Sequence, residues 1–216
     1  MDLTESYLSA IPEDVRSRYE LAEVRKAAQV LAATNPAEFA EIIDVLRHFE
    51  LVETDVTDAG GSKSAVPKRL DEAFREKGWR EGRHDTRITS ELLVMPYKPA
   101  GEKKPIVKTT EVLNEGYKVD NVKGRVAVDV EWNAKDGNLD RDLGAYRALY
   151  DAGIIDGAVI ITRTQDMKDL AAELGVKKFD TTTTTNIEKL LPRLTRGDGA
   201  GCPVLAVAIT PRCLSR

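Results

Sequence analysis

The stretch Val119-Asp120-Asn121-Val122-Lys123-Gly124-Arg125-Val126-Ala127-Val128-Asp129-Val130-Glu131-Trp132-Asn133 decides how the chain folds. Val126, Val128, Val130 and Trp132 alternate with Ala127, Asp129, Glu131 and Asn133, the period-2 pattern of a strand with one apolar face and one acidic, polar face. Strands disfavour Asp and Glu, and two carboxylates on one face repel, so the arrangement costs stability unless something positive lies between them. Asp120 stands just before the strand, and a hairpin through Lys123-Gly124 returns it to the carboxylate face. Three acids then surround one point. Oxygen-only ligand sets suit Mg²⁺, which is usually held by one or two carboxylates plus a substrate phosphate. The chemistry implied is phosphodiester hydrolysis, and the alternative is an acidic strand face open to solvent.

Asp120, eight residues, Asp129, one residue, Glu131 is also the spacing of the PD-(D/E)xK nuclease core, whose third position is normally Lys. The run Asp129 to Asn133, then Lys135-Asp136 and Asp140-Arg141-Asp142-Leu143, resembles the BglII/BstYI-like type II restriction endonucleases. Further blocks match in order: Gly60-Gly61-Ser62-Lys63-Ser64 with Gly78-Trp79-Arg80-Glu81, then Ile160-Ile161-Thr162-Arg163, then Gly201-Cys202-Pro203-Val204-Leu205 with Ile209-Thr210-Pro211. The likeness runs from roughly residue 20 to 212. It implies an α/β fold, a mixed central β-sheet flanked by helices, with a restriction-endonuclease-like core. It also implies a Mg²⁺-dependent homodimer that cuts both strands of a short palindromic site in double-stranded DNA, beside a cognate DNA methyltransferase. Characterised relatives read GATC-centred palindromes. In such a site Asp120 and Asp129 hold the metal and Glu131 orients or deprotonates water, with Asn133 and Lys135 in support. Asp129 departs from the family, which usually has Glu there. The shorter reach, on the order of an ångström, is enough to cost about 10²-fold in rate. A structure-selective or repair nuclease, and a catalytically weak sequence-specific DNA-binding protein, therefore stay open.

The length of 216 residues fits one domain over 1–216, with a helical N-terminal part over 1–50 and the nuclease core over 51–216. Lys plus Arg number 32 against 36 Asp plus Glu, so DNA binding has to come from a local basic patch on an acidic protein. Lys63, Lys68, Arg69, Arg75, Arg80, Arg83 and Arg87 form one candidate stretch, and Lys177, Lys178, Lys189, Arg193 and Arg196 another. The helix start at Ser62, Lys63 and Ser64 has the unpaired amides that bind phosphate. The five-threonine run from Thr181 to Thr185 leads into Asn186, a helix-capping residue type. Hydroxyls reach base edges and threonine methyls pack on thymine, so Thr183, Thr184, Thr185, Asn186 and Lys189 are assigned to major-groove readout. Lys68, Arg69, Arg80 and Arg163 complete the expected DNA contacts. With two cysteines and two histidines, neither a zinc site nor a disulfide framework is supported. The start of the chain lacks a signal-peptide pattern and no apolar run is long enough to span a bilayer, which points to a soluble, intracellular protein, and the resemblance implies the cytoplasm of a bacterial or archaeal cell.

The remaining pattern predicts two helices over residues 13 to 48, broken at Asn35-Pro36, and a helix from about Lys63 to Lys77 closed by Gly78. Thr86 to Val94 reads as a strand and Pro96 to Pro105 as a loop. After the hairpin come a helix at Leu139 to Asp151 and doubly buried strands at Ala158 to Thr162 and Val204 to Ile209. Helices at Asp166 to Leu174 and Asn186 to Leu194 lie between those strands. Arg141 and Asp142, near the start of their helix, suit its dipole.

Overall fold

The computed structural model describes residues 1–58, 65–179 and 182–215. In chain order the elements begin β1 (Leu3–Thr4), α1 (Tyr7–Ala10), α2 (Glu13–Arg16), β2 (Tyr19–Val24), α3 (Ala27–Thr34), α4 (Pro36–His48), α5 (Glu53–Thr57) and α6 (Ala65–Glu76). They continue with β3 (Arg80–Arg83), β4 (Thr86–Val94), β5 (Ile106–Asn114), β6 (Lys118–Lys123) and β7 (Val126–Val130). The last are α7 (Gly137–Asp151), β8 (Gly157–Arg163), α8 (Met167–Glu173), α9 (Ile187–Arg196) and β9 (Val204–Ile209). Two compact units result: residues 1–82 with 118–216, and residues 83–117.

The larger unit is built on a seven-stranded mixed sheet in the order β1-β2-β9-β8-β7-β6-β3. β7, β8 and β9 run parallel in its centre, and every residue in them is buried. One face carries Val126, Val128, Val130, Trp132, Val159, Ile161, Leu205 and Val207, packed with Leu31, Ile42, Leu46, Leu70 and Phe74 from α3, α4 and α6. The other face is lined by Ala127, Ala158, Ala206 and Ala208, whose small side chains let α7 and α9 settle close with Leu139, Leu143, Leu190 and Leu194. Each Val, Leu or Ile fully removed from water stabilises the fold by about 1.5–3 kcal/mol relative to an exposed one, so this doubly covered centre dominates stability. It also fixes the position of the acidic strand.

The first of the two expected N-terminal helices is corrected by the structure. Tyr19 to Val24 is a strand, antiparallel to β9 with Tyr19 opposite Ile209 and Val24 opposite Val204. The reason is backbone satisfaction: β9 is a continuous apolar strand whose outer amides and carbonyls would otherwise be buried unpaired. That outweighs the local helix preference of Glu20, Leu21, Ala22 and Glu23. Arg25 and Lys26 then take left-handed backbone (φ 58° and 54°), and α3 starts only after them. Glu23 is buried and accepts a hydrogen bond from the Ala28 amide at 2.7 Å, so the strand caps the helix that follows it. The second helix forms as expected, with Pro36 in its first turn, although Asn35 makes no side-chain cap bond; its Nδ2 donates to Asp156 Oδ2 at 3.1 Å. Cys202 and Cys213 are free, buried thiols.

The smaller unit is an antiparallel hairpin in which β4 and β5 pair from Thr86 opposite Asn114 to Val94 opposite Ile106. Every residue of both strands is exposed. At its root the chain passes so close to itself that a Cβ on Gly116 would lie 1.7 Å from the His84 carbonyl oxygen, so only glycine fits there. Among the described residues no helix is long and apolar enough to cross a membrane.

Candidate active site

The β6–β7 hairpin is closed by a two-residue loop in which Gly124 takes φ +54°, the conformation such tight turns ask of glycine. The pairing of Asn121 with Val128 sets Asp120 opposite Asp129, and the two are laced together. The Asp120 amide donates to Asp129 Oδ1 at 2.8 Å, and the Val130 amide donates to Asp120 Oδ2 at 3.2 Å. Glu131 lies just past the end of β7, its own amide donating to the Ile161 carbonyl at 2.8 Å. Thr162 and Thr185 donate their hydroxyls to the Glu131 carbonyl at 3.0 and 2.8 Å. The three acids expected from the sequence thus share one face, but that face is not open to solvent. Asp129 is 3% exposed and Glu131 4%.

The cover comes from α7 and brings groups that sequence reasoning did not assign to the site. Tyr146 places its hydroxyl 2.6 Å from Asp129 Oδ2 and 3.1 Å from the Val159 carbonyl. Asn138 donates to both carboxylate oxygens of Glu131 at 3.3 and 3.2 Å, and Arg141 lies 3.6 Å from Glu131 Oε1. Asp142 is 1% exposed; its Oδ1 accepts from Arg141, while its Oδ2 is buried with no hydrogen-bond partner among the described residues. A fifth acid, Asp71 on α6, is tied to β6 by Asn121 at 2.8 Å. Asp142 and Tyr146 stand one helical turn apart, so the spacing Asp-x-x-x-Tyr was the available signal. By residue type alone Asp142 matches the helix dipole, which hides its place beside Glu131. Asp71 had no such signal, because it lies far from the hairpin in sequence.

Burial sets the electrostatics. Removal from water pushes the Asp129 carboxyl up to about 8, with the charges of Asp142 and Asp120 adding to the effect and the Tyr146 hydroxyl opposing it. Glu131 and Asp142 are both raised by burial; Asp142 is raised further by Glu131 beside it, while Arg141 opposes the shift in both. Asp120 and Asp71 are raised by burial as well. A cluster of carboxylates this short of positive charge, with one buried oxygen unsatisfied, has the donor chemistry that a hard divalent cation suits. No three of these groups converge into a closed ligand cage among the described residues.

The other expected residues divide. Asn133 sits beside the acids with left-handed backbone (φ 53°) and accepts from Arg163 at 3.4 Å. Lys135 is exposed and its backbone bridges to Thr184. Lys68 and Arg80 are exposed, Arg80 donating to the carbonyls of Arg75 and Trp79. Arg69 is engaged by both oxygens of Asp55 at 2.8 and 2.5 Å and by the Glu50 carbonyl. Thr183 is exposed and Lys189 is half-buried, 3.2 Å from Asp136 Oδ2. Three assignments to DNA contact are corrected. Arg163 is fully buried, bonded to Thr184 Oγ1 at 2.8 Å and stacked 5.0 Å from the Phe179 ring centre. Thr185 is buried between the Glu131 carbonyl and the Ala134 amide, and buried Asn186 caps α9 by accepting from the Lys189 amide at 2.9 Å. Each meets an internal polar need that would be costly to leave unmet. Ser62, Lys63 and Ser64 lie outside the described residues.

The family model described as restriction endonuclease BglII/BglIII matches residues 19–209 of this chain, so its span takes in β2 through β9 and the whole carboxylate cluster. No curated protein matches the chain.

Proposed function

The chain belongs to the BglII/BglIII family of restriction endonucleases and is a site-specific deoxyribonuclease, and from that premise we propose a Mg²⁺-dependent enzyme that cuts both strands of a short, GATC-centred palindrome as a homodimer. Its setting is a restriction-modification system in a bacterial or archaeal cytoplasm, where a methyltransferase protects the same site. The observation that carries the reading is the meeting of Asp120, Asp129 and Glu131 on one desolvated face at the β6–β7 hairpin. Two-fold symmetry supplies the argument for the dimer: one centre cuts one strand, so a palindrome needs two.

Asp120 and Asp129 are the residues that would hold the cation, since each carboxylate oxygen keeps a second lone pair beyond its present hydrogen bond. Held there, Mg²⁺ would supply Lewis-acid polarisation of the scissile phosphate and a more acidic bound water. Glu131, its affinity for protons raised by burial, accepts the proton of the attacking water near neutral pH, and Asn138 and Arg141 fix its orientation. Tyr146 holds the shorter Asp129 side chain in place. Exposed Lys68, Arg80 and Lys135 supply phosphate contacts, and Thr183, Thr184 and Lys189 are the members of the threonine segment left to read bases.

Digestion of a plasmid of known sequence with Mg²⁺, followed by mapping of the ends, tests the reading. Identical ends at one short palindrome in linear duplex, abolished by Asp120→Ala, are expected. Cutting confined to branched or mismatched DNA would replace it with a structure-selective nuclease. Specific binding without cutting would leave a DNA-binding protein.

A further inference from the structure

The side of α7 that covers the acids carries a guanidinium. Asn138, Arg141 and Asp142 stand three and four residues apart and so share one side of the helix. Arg141 is held at one end and open at the other. Its Nε and Nη2 donate to Asp142 Oδ1 at 3.3 and 3.2 Å, and Nη2 lies 3.6 Å from Glu131 Oε1. Its Nη1 makes no hydrogen bond among the described residues, and the side chain is 45% exposed above a buried Asp142. The guanidinium is thus gripped from inside the protein and presents its outer edge to whatever approaches the acids. Its charge lowers the proton affinity of Asp120, Glu131 and Asp142 together, whereas that of Arg75 on α6 bears on Asp71 and Asp120. Lys118 and Lys123 on β6 are taken by Glu81 and Glu41.

We propose that Arg141 is a catalytic residue, donating from Nη1 to a non-bridging oxygen of the scissile phosphate. The inference rests on the endonuclease reading above and adds a residue to it. In the reaction the oxygen of water bonds to phosphorus while its proton passes to Glu131. The bond from phosphorus to the leaving sugar oxygen breaks, and that oxygen takes a proton from solvent. The diester starts with one negative charge, and the entering oxygen, stripped of its proton, brings a second that spreads over the non-bridging oxygens before the leaving bond breaks. The carboxylates around the site repel that charge. A cationic donor already anchored beside the base meets it without rearrangement, and a planar guanidinium stays ionised among acids and matches phosphate oxygens. The position of Arg141 fits the order of events. With donor and base side by side at 3.6 Å, a phosphate held by one lies within reach of the water activated by the other. Asp142 is then a positioning residue, which acts by fixing the guanidinium.

Single-turnover cleavage of plasmid DNA by the full-length protein with Mg²⁺ tests the role. Arg141→Ala should cut at least ~10²-fold more slowly than wild type, the loss typical of one preorganised donor. Arg141→Lys should fall between them, because it keeps the charge and loses the two-point grip on Asp142. Arg147→Ala, on the same helix but paired with Asp151, should cut at the wild-type rate. If Arg141→Ala does not keep the wild-type circular dichroism, Arg141→Gln is read in its place. Two readouts separate a phosphate contact from mere neutralisation of the acids. Guanidinium chloride, unlike sodium chloride at the same concentration, should speed Arg141→Ala ~10-fold and leave Asp120→Ala inactive. The rate of Arg141→Ala plotted against pH should level off far below the wild-type plateau. A rate that climbs to that plateau at high pH would show that Arg141 only keeps Glu131 ionised, and would overturn the contact. Wild-type cutting by Arg141→Ala, with Asp120→Ala inactive, would overturn it too and leave the endonuclease reading standing. Failure of the wild-type protein to cut any plasmid would remove both.

Discussion

β5 and β7 are written in the same alphabet and end in opposite surroundings. Ile106-Val107 and Val112-Leu113 of β5 bracket the polar run Lys108 to Glu111, whereas Val126, Val128 and Val130 of β7 alternate with Ala127 and Asp129. All of β5 is exposed and all of β7 is buried. Even the acidic member of β7 is inside, at 3% exposure, because α7 lies over it. A strand's own alternation tells which residues share a side. It does not tell whether that side is covered, since cover comes from elements distant in sequence. In β7 cover raises a carboxyl's affinity for protons, and in the β4–β5 arm its lack leaves apolar side chains in water.

The largest effect that could break this contrast is a charge placed in each sheet. Val207→Asp, in the fully buried β9, should cost more than about 4 kcal/mol and leave little folded protein, because an unpaired carboxylate there has no water and no partner. Val107→Asp, half-exposed in the arm, should leave the denaturation midpoint close to wild type. Equal losses in urea unfolding would mean that the arm is not an independent, solvated unit.

A smaller change sharpens the account of the covered face. Tyr146→Phe keeps the ring that α7 packs onto the sheet but takes the hydroxyl from Asp129 Oδ2. It should destabilise the protein by about 1–3 kcal/mol, the cost of an unmet buried polar group, and slow cleavage as Asp129 loses its orientation. Unchanged stability and rate would mean that water or a shifted side chain satisfies Asp129 without help from α7.

The last effect is a slope rather than a step. A carboxyl whose folded affinity for protons exceeds its unfolded one favours folding fully at pH below its unfolded value, and that contribution disappears as pH rises through its folded value. With Asp129 raised from 3.8 to about 8, and Glu131 and Asp142 raised too, stability without divalent cation should fall as pH climbs from about 4 to 8. Asp129→Asn should flatten that fall in urea melts taken across the range. An identical slope in the variant would show that Asp129 is ionised in the fold despite its burial.

The central strands and the hairpin were legible because their signals are local: periodicity and a glycine turn. Tyr19 to Val24 was not, because its strand state is imposed by β9, which lies at the other end of the chain. Arg163, Thr185 and Asn186 were taken for DNA contacts on residue type. Guanidinium, hydroxyl and amide groups serve a buried loop as well as a base edge, and only the packing of Phe179, Glu131 and α9 around them tells which. Asp142 was visible as a residue and invisible as a neighbour of Glu131, since their proximity depends on how α7 lies over the sheet.

β3 and β6 are adjacent strands, and the arm is what the chain does between them. A loop whose two ends are already held side by side loses little entropy by growing or shrinking, about 0.6 kcal/mol per doubling of its length. Residues 84 to 116 can therefore be shortened, lengthened or exchanged at little cost to the sheet that carries Asp120 and Asp129. Gly116, pressed against the His84 carbonyl, marks the seam where such an exchange of arms would begin.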